Sequence, residues 1–344
     1  MLTGIRSMDV RDVPDLTVRN ADDVLIRMVT VGVCGSDVHY FTAGRIGSQV
    51  VQYPYTVGHE GAGIVEAVGA GVSRVKPGDR VAVDPAISCF ACDQCLAGRP
   101  HTCRRLLFLG CPGQVPGCLS ERLVMPEESC YPIADSMTLR QAALSEPLAI
   151  GVYAVRQSIP MAGARIGILG AGPIGLSVLA AARAGGVAAV YQTDKIDERL
   201  TLARAMGADW IGNPTRADVA AGVNEAEPSQ LDAVFECCGQ QDALDNAVDM
   251  LKPGGKLMIV GIPETDRVSF AIDSLRRKEL CIQNVRRQVN CVQPTLDAME
   301  DGSMNVDAMV THSFPLDRVQ EAFDLVAAYG DGVVKAMIEI SPEG

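Results

Sequence analysis

The sequence predicts an α/β protein in which a doubly wound parallel sheet is inserted into a β-rich chain. Two observations lead there. Between about residues 160 and 284, apolar runs of strand length alternate with helical runs, as in βαβ units. Between 58 and 83, valine-rich runs are punctuated by glycine and read as a compact β region, not a helical bundle. The length of 344 residues suits two domains.

Composition narrows the function. Apolar residues make up 48% of the chain, which is enough for a large core. A net charge of −12 disfavours phosphate backbones and anionic lipid, so nucleic acid and membrane surfaces are poor partners. Residues 1–10 hold no apolar run fit for a signal peptide, and no stretch nears the ~20 apolar residues of a membrane span. A soluble cytoplasmic protein is expected. In that setting, clustered cysteines bind metal more often than they form disulfides, and this chain has twelve cysteines.

Taken in order, Val24-Leu25-Ile26-Arg27-Met28-Val29 reads as a strand. Gly32 and Gly35 then bracket Cys34 and loosen the backbone there. Two of the four histidines, His39 and His59, fall between Cys34 and Glu60, so thiolate, imidazole and carboxylate gather in one short stretch. All three are zinc ligand types. Gly63–Gly69 and Val81–Val83 are strands around a Lys76-Pro77-Gly78 turn. Cys89, Cys92, Cys95 and Cys103 follow with C-x2-C-x2-C-x7-C spacing. Four thiolates close a tetrahedral shell and leave no open position, so this ion would be structural. Residues 104–150 read as irregular, apart from a helix beginning at Leu139 that carries Ser145-Glu146-Pro147-Leu148.

The strand Arg165–Leu169 runs into Gly170-Ala171-Gly172-Pro173-Ile174-Gly175, then a helix, then a second strand ending at Asp194. This is G-x-G-x-x-G between strand and helix, with an acid 24 residues past the first glycine. The glycines allow a tight turn and close approach to a pyrophosphate, the helix N-terminus offers free N–H groups, and the acid accepts from the ribose hydroxyls. Gly170, Gly172, Pro173, Ile174 and Gly175 are therefore cofactor candidates. Asp194 would repel a 2′-phosphate, which favours NAD over NADP. Lys195 and Arg199 stand nearby, Arg199 as a further cofactor contact. Further strands follow at Leu231–Glu236, at Lys256–Val260 after a turn at residues 252–255, and at Leu280–Gln283, with helices at Asp242–Leu251 and Ser269–Lys278. Cys237 and Cys238 at a strand end read as core. Helices from Pro294 and Leu316 and a strand Val333–Ile340 close the chain. The expected domains are 1–152, with a metal lobe at 85–110, then 153–286 for the dinucleotide, and 287–344 completing the first.

Cys34-Gly35-Ser36-Asp37-Val38-His39, Gly58-His59-Glu60-x-x-Gly63, the four-cysteine lobe and the glycine loop occur in this order along nearly the whole chain. Together they resemble the zinc-dependent medium-chain dehydrogenases. Cys34 to Tyr40 and Ser145 to Leu148 are similar to the polyol branch, the sorbitol and xylitol dehydrogenases. The resemblance implies a GroES-like catalytic domain, a Rossmann domain and two zinc ions per chain. It implies Cys34, His59 and Glu60 as catalytic zinc ligands, with Glu146 binding directly or through water. Asp37 would orient the ligand histidine, Ser36 and His39 would relay a proton, and Tyr40 would line the substrate cleft. A homotetramer is also implied.

The expected reaction is NAD-dependent oxidation of a secondary alcohol of a sugar alcohol to a ketose. The alternatives are an acid such as L-idonate, its carboxylate held by Arg286 or Arg287, or threonine or butanediol. From a different class, a non-catalytic NAD- and zinc-binding module would fit the motifs but needs no proton relay.

Overall fold

Alternating apolar residues on Asp23–Gly32 make it a strand that can serve as the middle of a sheet. In the computed structural model, which describes residues 1–263 and 265–343, that strand pairs antiparallel with Glu60–Val68, Lys335–Glu339 and Arg122–Pro126. The sheet runs Cys130–Pro132, Arg80–Val83, Glu60–Val68, Asp23–Gly32, Lys335–Glu339, Val310–Pro315, with Arg122–Pro126 also on the central strand. Val24, Ile26, Met28, Val31, Val65, Val81 and Ile338 fill the core beneath it. Each such side chain, fully buried, stabilises by roughly 1.5–3 kcal/mol. Phe41 and Phe323 meet edge-on, ring centroids 5.4 Å apart, and join the helices Gly35–Ala43 and Val319–Ala327.

The chain divides into two compact units: Met1–Glu146 with Val292–Asp301 and Val310–Gly344, and Pro147–Cys291 with Gly302–Met309. The division falls inside the helix Leu139–Gln157. That helix starts with a reciprocal cap, Gln141 N–H donating to Thr138 Oγ1 at 3.1 Å and Thr138 N–H to Gln141 Oε1 at 2.9 Å. The second unit holds six parallel strands in the order Trp210–Gly212, Ala189–Thr193, Arg165–Leu169, Leu231–Glu236, Leu251–Ile259, Cys281–Asn284. Counted along the chain this is 3-2-1-4-5-6, the dinucleotide-binding order, which reverses beside Arg165–Leu169.

Several elements differ from expectation. The loosened backbone at Cys34 is the start of a helix, because Asp37 Oδ2 accepts the Cys34 N–H at 3.3 Å and caps its first turn. Residues 104–150 contain the strands Arg122–Pro126 and Cys130–Pro132. Their closing prolines mask the strand pattern but fall at strand ends, where no ladder N–H is required. The turn at residues 252–255 is an excursion within one strand, since the register steps from Leu231↔Leu251 to Ala233↔Lys256. Cys238 is exposed, not core, because the chain leaves the sheet at Glu236. Among the described residues no helix is long and apolar enough to cross a membrane.

Candidate active site

The central strand ends at Gly32, and two residues later Cys34 caps the helix Gly35–Ala43. On the neighbouring strand Glu60 stands opposite Gly32 in the register, with His59 just before it. Sheet pairing thus brings together residues 26 positions apart, and the donor atoms of Cys34, His59 and Glu60 lie within 4.8 Å of one another. A thiolate, an imidazole and a carboxylate at that spacing fit zinc, and three protein donors leave a tetrahedral ion one position open.

Asp37 is fully buried and organises this corner. Its carboxylate accepts the N–H of Cys34 at 3.3 Å and of Gly58 at 3.1 Å, and lies 3.4 Å from His59 Nδ1. Burial opposes a charged imidazole, but the negative charges of Asp37 and Cys34 outweigh it and hold the His59 pKa well above its usual value. Holding Nδ1 leaves Nε2 for a metal. Ser36 donates its hydroxyl to Cys34 Sγ at 3.4 Å. His39 follows one turn later on the same helix and is half-buried. Tyr40 is buried, and its phenol donates to Gln49 Oε1 at 3.1 Å, with Cys111 Sγ 3.8 Å away.

Lys335 was not legible as a site residue. It is 1% exposed, as is Glu60, and its ammonium donates to Glu60 Oε1 at 2.7 Å, Glu60 Oε2 at 2.5 Å and the Val33 carbonyl at 3.1 Å. Burial disfavours the ammonium, but Glu60 and Cys34 outweigh it and raise the Lys335 pKa. The available signal was one lysine in the apolar run Val333-Val334-Lys335-Ala336-Met337. Such a charge needs a buried partner. Glu146 lies outside the three-donor cluster, yet the charges of His59, Glu60 and Lys335 act on it. Burial, the largest cause, pushes its carboxyl up to about 7.

The second cluster is Cys89, Cys92, Cys95 and Cys103. Sulfur separations are 3.4 Å for Cys89–Cys103, 3.6 Å for Cys92–Cys95, 3.8 Å for Cys92–Cys103 and 4.0 Å for Cys89–Cys95. A tetrahedron with Zn–S near 2.3 Å has edges of about 3.8 Å, so the four sulfurs fit one ion. Left as thiols they split. The Ala91 N–H draws Cys89 down to about 6, while desolvation and the neighbouring thiols push Cys95 up to about 12. A cation is what lets four adjacent sulfurs ionise together.

In the second unit the loop after Arg165–Leu169 has the geometry its glycines require. Gly170 sits at φ +107°, and a Cβ on Gly175 would overlap the Gly170 carbonyl. Gly172 caps the helix Pro173–Ala184, with Pro173 at its first position and Ile174 next. Asp194 Oδ2 accepts the Ala171 N–H at 2.6 Å and Oδ1 the Ile196 N–H at 2.9 Å, so the acid is tied to the loop. Arg199 is buried, its guanidinium 3.5 Å from where a Gly172 Cβ would stand, which sets a cation under the loop. Arg286 and Arg287 follow the strand Cys281–Asn284, Arg286 exposed and Arg287 at φ +53°.

Known proteins share this fold. Residues 20–135 match the alcohol dehydrogenase GroES-like domain, and residues 173–301 match the zinc-binding dehydrogenase family. The sorbitol dehydrogenase of Bacillus subtilis is 35% identical over 327 residues, 95% of this chain and 92% of the relative. The L-idonate 5-dehydrogenase of Vitis vinifera is 32% identical over 348 residues, 98% of this chain and 93% of the relative. The crystal structure of an Escherichia coli oxidoreductase of unknown specificity superposes with a TM-score of 0.90 at 34% identity, covering 96% of this chain and 95% of the other. Zinc and a nicotinamide cofactor are the working groups of such enzymes. With both halves matched and both clusters formed, this chain belongs to the zinc-dependent medium-chain dehydrogenases, in their polyol dehydrogenase branch, and is an oxidoreductase acting on CH–OH.

Proposed function

We propose that the protein oxidises a secondary alcohol of a sugar alcohol to a ketose with NAD, as xylitol, sorbitol or L-iditol 2-dehydrogenases do. The observation that carries this is the three-donor cluster of Cys34, His59 and Glu60, which would hold a catalytic zinc ion. Zinc, when bound, supplies a Lewis acid that favours the ionised substrate hydroxyl, and NAD supplies the hydride acceptor. Cys34, His59 and Glu60 would hold the ion, and Asp37, 3.4 Å from His59 Nδ1, would fix the ring that binds it. Glu146, on which the charges of His59 and Glu60 act, is read as binding the ion directly or through water. The substrate proton passes by Ser36, whose hydroxyl lies against Cys34 Sγ, to His39, an imidazole suited to shuttling near neutrality. The balance is one alcohol and one NAD+ giving one ketone, one NADH and one proton.

The four-cysteine ion is read as structural, which gives two zinc ions per chain. Asp194 supports NAD over NADP, since a carboxylate accepts from the 2′-hydroxyl and repels a phosphate there. On family resemblance we read the protein as a cytoplasmic homotetramer. A second reading, oxidation of an acid such as L-idonate, draws on Arg286 and Arg287 and on the grapevine relative. The test follows absorbance of the reduced nicotinamide with NAD and NADP over xylitol, sorbitol, L-idonate, threonine and butanediol, with zinc counted on the same sample. NAD-linked turnover of a polyol and two zinc ions are expected, and Cys34→Ala should abolish turnover while the folded chain still binds NAD. Turnover surviving full loss of metal from that site would refute the reading.

A further inference from the structure

We propose that Lys335 is a positioning residue that holds the catalytic metal site in its ligand-ready shape before any metal arrives. The inference rests on reading Cys34, His59 and Glu60 as that site. An ammonium has three N–H donors, and here all three have acceptors. Two go to the carboxylate of Glu60 and one to the carbonyl of Val33, the residue before Cys34. One buried side chain from the C-terminal strand therefore ties together the two segments, Val33 with Cys34 and His59 with Glu60, that carry the three donors. A carboxylate has about four lone-pair positions, so Glu60 can serve Lys335 and still face a metal.

Gly32 is an independent sign of the same construction. A Cβ there would overlap Glu60 Oε2 and would stand 3.3 Å from both Glu60 Cβ and Lys335 Cδ. The sheet thus leaves a notch in which the carboxylate lies. Without Lys335, a carboxylate that is 1% exposed loses the side chain that holds both of its oxygens in place. It can then swing out of the notch, a change that must be reversed before metal binds.

The test uses the full chain, stripped of metal and titrated with Co2+ against a competing chelator, read by the thiolate-to-cobalt band that disappears in Cys34→Ser. Lys335→Met should bind Co2+ at this site about 10–100-fold more weakly, the usual effect of losing a partner that orients a ligand. Gly32→Ala keeps both charges and only fills the notch, so it should show a loss in the same direction with an altered band. It decides the matter if Lys335→Met does not fold. Unchanged affinity and band shape in both variants would overturn the proposal. So would tighter binding in Lys335→Met, since Lys335 would then compete with the metal. If the wild-type chain shows no Cys34-dependent band at all, it is the metal-site reading that fails.

Discussion

Asp37→Asn is the sharpest perturbation of the site. The side chain is fully buried, and three donors face it: the N–H of Cys34, the N–H of Gly58 and His59 Nδ1. A carboxylate accepts on both oxygens, whereas an amide offers one oxygen and an NH2 that must confront at least one donor. A buried donor left without an acceptor costs about 1–3 kcal/mol. The orienting charge beside His59 also disappears, which should weaken metal binding about 10–100-fold. Thermal unfolding of the metal-free and loaded forms, with zinc competition against a chelator, measures both effects. A variant that keeps wild-type melting and wild-type zinc affinity would show that Asp37 neither supports the turn nor orients the ring.

Other substitutions probe the remaining features. Cys95→Ser should remove about one zinc per chain and lower the melting temperature, because three thiolates cannot close the shell; unchanged zinc content and melting would argue against a structural ion. Asp194→Ala should weaken NAD more than NADP in equilibrium titrations, by about tenfold or more for NAD. The Ala171 contact is lost for both cofactors alike, so equal losses would sink the preference for NAD. Asp23 is buried, which disfavours its charge, yet the N–H groups of Arg19 and Asn20 and the Asn20 amide outweigh this and lower its pKa. A depressed carboxylate pKa stabilises the fold above the unfolded value of about 3.9, and the effect fades as pH falls through the folded value. The stability gap between wild type and Asp23→Asn should therefore be widest near neutral pH and close in acid; a gap that widened in acid would contradict this.

What could be read directly from the sequence was local. The C-x2-C-x2-C run carries its own convergence, because two-residue spacing suffices to turn thiolates inward, and the glycine loop is a strand–turn–helix within eleven residues. Parallel strands were legible because both faces are covered and the runs are continuously apolar. The strands Arg122–Pro126 and Cys130–Pro132 were not, since each closes on a proline that masks the strand pattern.

The sequence by itself determined the chemical types: which thiols, imidazoles and carboxylates exist, and which short motifs hold them. Only the tertiary structure decided that Lys335 meets Glu60 across 275 positions, and that Asp37 collects three donors. The reason lies in sheet register. Met337 pairs with Gly32, and Gly32 with Glu60, so residues spaced by two share a face and converge. A slip of one residue would turn Lys335 to the opposite face, and no local pattern in the run from Val333 specifies which register forms.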